Sequence, residues 1–169
     1  MKEIYFAGGC FWGTEHFFKL MEGVVDTQVG YANGTTSSPT YQDVCTDTTG
    51  HAETVRVAYD EHRIALDDLI DMYFKAIDPT SVNKQGEDEG TQYRTGIYYV
   101  DDADRPVIEA RLTAEARLYD APLAVELEPL RCFYPAEDYH QDYLDKNPTG
   151  YCHLPQALFE MARQYKKKH

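Results

Sequence analysis

The hydrophobic pattern of this chain switches between strand and helix periods in a fixed order. Residues 2–7 read as a strand. Residues 13–23 read as a helix, with Phe17, Phe18 and Met21 at helical spacing and Gly23 as its stop. Residues 24–31 read as a second strand, and "ETVRVAYD" at 53–60 alternates as a third. In "ALDDLIDMYFKAI" (65–77), Leu66, Leu69, Ile70, Tyr73, Phe74 and Ile77 form one apolar helical stripe. A strand at 95–101, a helix at 105–119 capped by Asp104 and an alternating run at 123–129 follow. The order β-α-β-β-α-β, then α-β, is a split βαβ pattern. It predicts an α/β (α+β) fold, a two-layer sandwich with a mixed sheet and a ferredoxin-like core. The tyrosine-rich remainder, 130–169, is expected to be irregular, with short helices near 136–145 and 155–166. No repeat or linker divides the chain, so one domain over 1–169 is expected.

Two long polar stretches, 32–51 and 78–95, interrupt this order. Both are rich in turn-forming residues and read as loops. Loops of that length in a compact domain usually carry function.

Charge and cysteine usage narrow the function classes. The formal net charge is −13, which repels nucleic acid and anionic membranes. The basic run "KKKH" at 166–169 reads as a frayed end. "MKEIYF" leads straight into a strand, so no leader is expected, and no apolar run approaches the ~20 residues of a membrane span. A soluble, cytoplasmic protein is expected. The four cysteines, Cys10, Cys45, Cys132 and Cys152, form no C-x-x-C pair, which argues against structural zinc. In a reducing compartment they rest as thiols, and any disulfide is catalytic rather than structural. The 14 tyrosines imply that some hydroxyls face a polar cleft.

Cys10, in "GGCFWGTEHFF", lies where a strand hands over to a helix. Free backbone N–H groups and the helix dipole at such a place favour a thiolate and lower the thiol pKa. Phe11 and Trp12 are adjacent on the first turn and cannot both face the core, so at least one lines a pocket beside the sulfur. That pocket suits a methyl or thioether group. Such a thiolate needs a proton donor for the leaving atom and a group to resolve the covalent intermediate. Glu53 enters a strand among apolar neighbours, where a raised pKa fits it to donate. Cys152, in "NPTGYCHL", lies in a Gly- and Pro-containing segment suited to a travelling thiol. Cys45 reads as structural, and Cys132 is undecided between the two roles. His51 and Glu53 also match the H-x-E of zinc deaminases, but the second half of that motif is missing.

Taken together, "GCFWGTE" (9–15), "GYANG" with "PTYQDVC", "TGHAE" with "VAYD", "DPTS" with "QGEDEGTQYR", "FYPAEDYHQDYL" (133–144) and "NPTGYC" (147–152) resemble the type A peptide methionine sulfoxide reductases. They occur in order over nearly the whole chain. The resemblance implies that Cys10 is the nucleophile and that Phe11 and Trp12 hold the substrate's ε-methyl group. It implies that Glu53 protonates the sulfoxide oxygen, with Tyr41 and Tyr93 as hydroxyl partners and Asp88 as a polar wall. Tyr143 and Tyr151 fall at further positions near the site, and His140 supports it from behind. Cys152 is implied as the resolving thiol. No cysteine follows Cys152, which favours direct reduction of a Cys10–Cys152 disulfide by thioredoxin. The implied substrate is the S epimer of methionine sulfoxide, free or in oxidised proteins, with no metal and no bound cofactor, on a monomer. Lys84 stands where arginine is common in the family, keeping the charge but losing the planar fork.

Three other classes are weighed against this. A general thiol peroxidase would need neither the aromatic pair nor Glu53. A module that only binds methionine-like side chains would not need Cys10. A cysteine hydrolase would need a histidine base beside Cys10; His16 is on the wrong part of the helix for that, and only folding could bring His51 or His140 there.

Overall fold

The computed structural model describes residues 1–46 and 48–165. The basic run at 166–169 and the last residue of the helix expected at 155–166 lie outside the described residues. In chain order the elements are β1 (Lys2–Gly8), α1 (Phe11–Lys19), β2 (Val24–Ala32), α2 (Tyr41–Cys45), β3 (Ala52–Tyr59), α3 (Leu66–Ala76), β4 (Lys84–Gln85), β5 (Asp88–Glu89), β6 (Thr95–Tyr99), α4 (Arg105–Ala116), β7 (Glu126–Pro129), β8 (Phe133–Pro135), α5 (Tyr143–Lys146) and α6 (Gln156–Gln164).

The main sheet runs in the order β7-β6-β1-β3-β2-β8. Helix α1 carries the chain from β1 past one strand position to β2, and β3 fills the gap antiparallel to both. Helix α3 then returns the chain to the other side of β1, where β6 pairs antiparallel. This is the split βαβ arrangement, and the parallel β6–β7 pair makes the sheet mixed. Glu53, on β3, sits opposite Tyr31 of β2.

Alternation on β1 feeds two clusters. Ile4 and Phe6 face the helices, and Phe6 stacks on Phe18 of α1 at 4.6 Å and on Tyr73 of α3 at 4.8 Å. Tyr5 and Ala7 face the other side with Ala32, Ala52 and Tyr98. The α3 stripe from Leu66 to Phe74 is buried as its spacing predicts, at about 1.5–3 kcal/mol for each large side chain, while Ile77 lies past the helix end and is half-buried. The Tyr73 hydroxyl donates to the Ala7 carbonyl at 2.5 Å and accepts from the Gly96 N–H at 3.1 Å. It thereby pins the end of β1, from which the Gly8–Gly9–Cys10 turn departs.

Several local expectations are corrected. Helix α1 ends at Lys19, before Gly23, which instead takes a left-handed φ of 101° in the turn into β2. The stretch 32–51 is not all loop. Thr40 and Asp43 form a reciprocal capping box, the Asp43 N–H on Thr40 Oγ1 at 3.1 Å and the Thr40 N–H on Asp43 Oδ2 at 2.9 Å, and this nucleates α2. Asp104 precedes α4 but makes no capping bond: its backbone is already helical, and its Oδ1 accepts from Lys2 Nζ at 2.5 Å. Asp101 caps the short turn before it, accepting from the Ala103 N–H. The segment after 130 carries β8 on the free edge of β2, besides the two short helices. No helix among the described residues is long and apolar enough to cross a membrane.

Candidate active site

Gly9 makes the turn from β1 into α1 with a φ of 88°, and a Cβ there would stand 2.8 Å from Gln85 Cβ. Cys10 follows as the residue capping α1, its side chain 6% exposed. The first backbone N–H groups of α1 face two acids. The Phe11 N–H donates to Glu53 Oε1 at 3.3 Å, and the Trp12 N–H lies near enough to the Cys10 sulfur to favour its thiolate. One helix end therefore holds both Cys10 and Glu53, although they are 43 positions apart.

Burial dominates the electrostatics. It pushes the Cys10 thiol well above its ordinary value, with the nearby Glu53 charge adding to the rise and the Trp12 N–H opposing it. The expected lowering of this thiol's pKa by the helix end is thus outweighed in the resting site. Desolvation in a nearly dry pocket exceeds what one N–H and a helix dipole return. Glu53 is 1% exposed, and burial pushes its carboxyl up to about 8. It is mostly protonated at neutral pH and able to donate.

Gln92, which pattern reasoning missed, braces that carboxyl. Its Nε2 donates to Glu53 Oε2 at 3.3 Å and contacts Cys45 Sγ at 3.6 Å. A glutamine in a polar loop carries no periodic signal, and only folding aims it at Glu53. Cys45, read as structural, is exposed at the edge of this site, beside Gln92 and Tyr41. Tyr41 and Tyr93 are both half-buried, and burial pushes their hydroxyls up, with the Glu53 charge adding to the rise when that acid is ionised. The Tyr41 N–H donates to Glu137, which also accepts from the Tyr31 hydroxyl at 3.0 Å.

The aromatic pair divides its duties. Phe11 is buried against Tyr31, Tyr41 and His140. Trp12 is half-buried and stacks face to face on Tyr143, with ring centroids 3.8 Å apart. Its indole N–H donates to His140 Nδ1 at 3.0 Å. Asp88, on the small β4–β5 hairpin, accepts from the Tyr151 hydroxyl at 2.9 Å, and its charge reaches Cys10, Glu53 and His153. Glu15, also unflagged by the pattern, is buried and accepts from the Asp142 N–H at 2.8 Å and from Thr27 Oγ1 at 3.0 Å.

Cys152 reaches the same helix turn from the far end of the chain. Its sulfur lies 3.0 Å from where a Cβ on Gly13 would stand, so α1 admits it only because residue 13 is glycine. The Leu154 N–H donates to the sulfur at 3.4 Å. On its other side Cys152 borders a cavity of about 300 Å³ walled by His16, Leu144, Asp145, Phe159 and Arg163. All four cysteines are free. Cys132 packs against the Gly34 carbonyl at the β2 edge. Both ring nitrogens of His51 are taken by backbone, Nδ1 by the Gly34 N–H and Nε2 by the Thr36 carbonyl, so His51 ties a loop. His16 faces Asp145 and Phe159.

The arrangement pairs a thiol with a neutral carboxylic acid in a dry aromatic pocket, with a second thiol against the same helix turn. Such a site suits nucleophilic attack on sulfur with protonation of a departing oxygen. The comparisons with known proteins agree. The family model described as peptide methionine sulfoxide reductase matches residues 2–169. The chain is 59% identical over 160 residues to the peptide methionine sulfoxide reductase MsrA of Clostridium acetobutylicum, covering 95% of this chain and 99% of that one. Its structure is similar to Mxr1 from Saccharomyces cerevisiae in reduced form, with a TM-score of 0.85 and 43% identity over 89% of this chain and 88% of that one. It is also similar to Mxr1 in complex with Trx2, with a TM-score of 0.60 and 28% identity over 84% of each chain. The chain therefore belongs to the peptide methionine sulfoxide reductase family, whose reaction is the thiol-dependent reduction of methionine sulfoxide.

Proposed function

We propose that Cys10, Glu53 and Cys152 carry this reaction in three steps. In the first, the Cys10 sulfur attacks the sulfoxide sulfur while Glu53 gives its proton to the departing oxygen. The hydroxyl passes to the Cys10 sulfur as the new sulfur–sulfur bond breaks, methionine leaves with that electron pair, the Cys10 thiol proton replaces the one Glu53 gave, and Cys10 is a sulfenic acid. In the second, Cys152 attacks that sulfur, water leaves and a Cys10–Cys152 disulfide remains. In the third, an external dithiol reduces the disulfide. Phe11 and Trp12 hold the methyl group of the S epimer, and Tyr41, Tyr93 and Asp88 surround its oxygen. His140, Tyr143 and Tyr151 hold these walls in place.

The observation that carries the reading is the shared helix end. The first N–H of α1 holds the Glu53 carboxyl at the helix end where Cys10 stands, and the acid is mostly protonated at neutral pH. A sulfoxide that accepts the Glu53 proton also places its electron-poor sulfur toward Cys10. That lowers the barrier to the thiolate only when substrate is present. The position of Cys152 against Gly13 supports its resolving role. A yeast relative found in complex with Trx2 supports thioredoxin as the dithiol. The reading takes 1–169 as one domain, a monomer in a reducing cytosol with no resident cofactor, acting on free or protein-bound methionine sulfoxide.

The test is a single turnover. Reduced protein is mixed with one equivalent of each methionine sulfoxide epimer and no reductant, and the disulfide is mapped by mass spectrometry. Consumption of the S epimer with a Cys10–Cys152 link is expected. Consumption of neither epimer, or a link to another cysteine, overturns the assignment.

A further inference from the structure

His153 follows the resolving thiol and belongs to none of the motifs that carry the resemblance. Its ring lies over the turn into α1. Nε2 is 3.2 Å from the Gly8 carbonyl, which can only accept, so Nε2 carries the hydrogen. In the neutral ring Nδ1 is then an unprotonated lone pair, and that atom is buried with no partner. Nδ1 lies 3.1 Å, and Cys152 Sγ 3.0 Å, from one common point, the place a Gly13 Cβ would occupy. A basic nitrogen without a partner therefore lies over the same turn of α1 as a thiol that has to lose a proton, and that thiol donates to the Leu154 carbonyl at 3.5 Å in the resting site. Buried polar atoms of this kind are rare unless they have a use.

We infer that His153 is the proton acceptor for Cys152 in the resolving step. This rests on Cys152 being the resolving thiol, as proposed above. The Cys152 side chain turns its S–H from the Leu154 carbonyl toward the ring, and the proton passes to His153 Nδ1. The Cys152 sulfur then forms a bond to the Cys10 sulfur, the Cys10 S–O bond breaks, and the departing hydroxide takes the proton from the imidazolium as water. Two thiol-level sulfurs, one of them already oxidised to sulfenic acid, become a disulfide, so no further oxidant or reductant is needed. The helix end and Leu154 N–H help the sulfur bear charge while the proton is away.

The charged and titratable groups around the ring are few. Asp88 faces it from β5 and favours its protonated form, Cys10 lies on the α1 turn, and Cys152 and Tyr151 share its own segment. Burial is the larger influence and lowers the imidazole from its ordinary 6.5, so the basic form prevails at neutral pH.

The test isolates the second step. Reduced protein is loaded with one equivalent of methionine-S-sulfoxide, and after methionine release the loss of free Cys152 thiol is followed by rapid quench and alkylation across pH 5–9. In the unmodified protein the resolving rate is expected to fall as pH drops below 6.5. His153→Gln keeps a donor for the Gly8 carbonyl but no base. It should slow the step on the order of 10²-fold at pH 7. Its rate should follow only the thiol's own ionisation, approaching the unmodified rate near pH 9. A purely structural role would lower the rate by one factor at every pH. That result, or an unmodified profile without an acid limb, overturns the inference. If His153→Gln does not fold, the unmodified profile decides alone. A disulfide from Cys10 to a cysteine other than Cys152 instead overturns the resolving-thiol reading beneath it.

Discussion

The Trp12 indole N–H donates to His140 Nδ1 at 3.0 Å, so the side chain that lines the pocket is held by a histidine that has to stay neutral. With Nδ1 accepting, the hydrogen sits on Nε2, which is buried without a partner. Burial lowers this imidazole from its ordinary value of 6.5. A group with a depressed folded pKa contributes stability above its unfolded pKa and loses it as pH falls through the folded one. Stability is therefore expected to decline from about pH 6.5 downward, in part through His140. His140→Phe should remove that part of the acid dependence. It should also leave the indole N–H unpaired, at a cost of about 1–2 kcal/mol. Urea unfolding at pH 5 and 7 checks this, and emission from Trp12, the single tryptophan, should shift.

Glu53→Gln separates acidity from nucleophilicity. Above pH 8 the ionised Glu53 raises the Cys10 thiol, so its removal should make that thiol more acidic. The midpoint of Cys10 alkylation by iodoacetamide is expected at lower pH in the variant. Yet methionine release should slow on the order of 10²-fold or more, since the proton for the oxygen is gone. A faster-alkylating thiol in an equally active enzyme would contradict the assignment of Glu53 as the acid.

Gly13→Ala tests the approach of Cys152. Alanine is the better helix former by roughly 0.5–1 kcal/mol. Here its Cβ would meet Cys152 Sγ at 3.0 Å and His153 Nδ1 at 3.1 Å. The variant should fold and release methionine, while the Cys10–Cys152 disulfide forms several-fold more slowly. Timed alkylation of Cys152 after one turnover reads this directly.

Glu15 holds the pocket wall through the backbone. It accepts from the Asp142 N–H, the residue before Tyr143, whose ring covers Trp12. Burial raises its pKa. Glu15→Ala should destabilise the protein by about 1–3 kcal/mol by leaving that N–H and the Thr27 hydroxyl unpaired. KM for methionine sulfoxide should rise more than kcat falls, since the loss is in the wall rather than in the reacting groups. Steady-state kinetics with a dithiol reductant separates the two.

Much of this protein follows from the sequence alone. The alternation at 53–60 and the stripe at 65–77 determine a strand and a helix, because burial of one face repeats at a period local sequence can express. Their order determines the split βαβ topology, since connections between such elements leave few alternatives. The six motif segments determine the family, and with it the candidates Cys10, Glu53 and Cys152. Short, edge and capped elements were less legible. The Thr40–Asp43 box that builds α2 uses residues that elsewhere mean loop, and β8 is three residues added to an existing edge.

Tertiary structure decided what those residues are chemically. Position at a helix end argues for an acidic thiol, but the depth of the pocket reverses that in the resting state. Gln92 on Glu53, Glu15 on Asp142 and His153 over the α1 turn have no pattern of their own, because each matters only through a partner 39, 127 or 145 residues away. Desolvation and long-range hydrogen bonding are properties of the folded surroundings, and no local run of sequence encodes them.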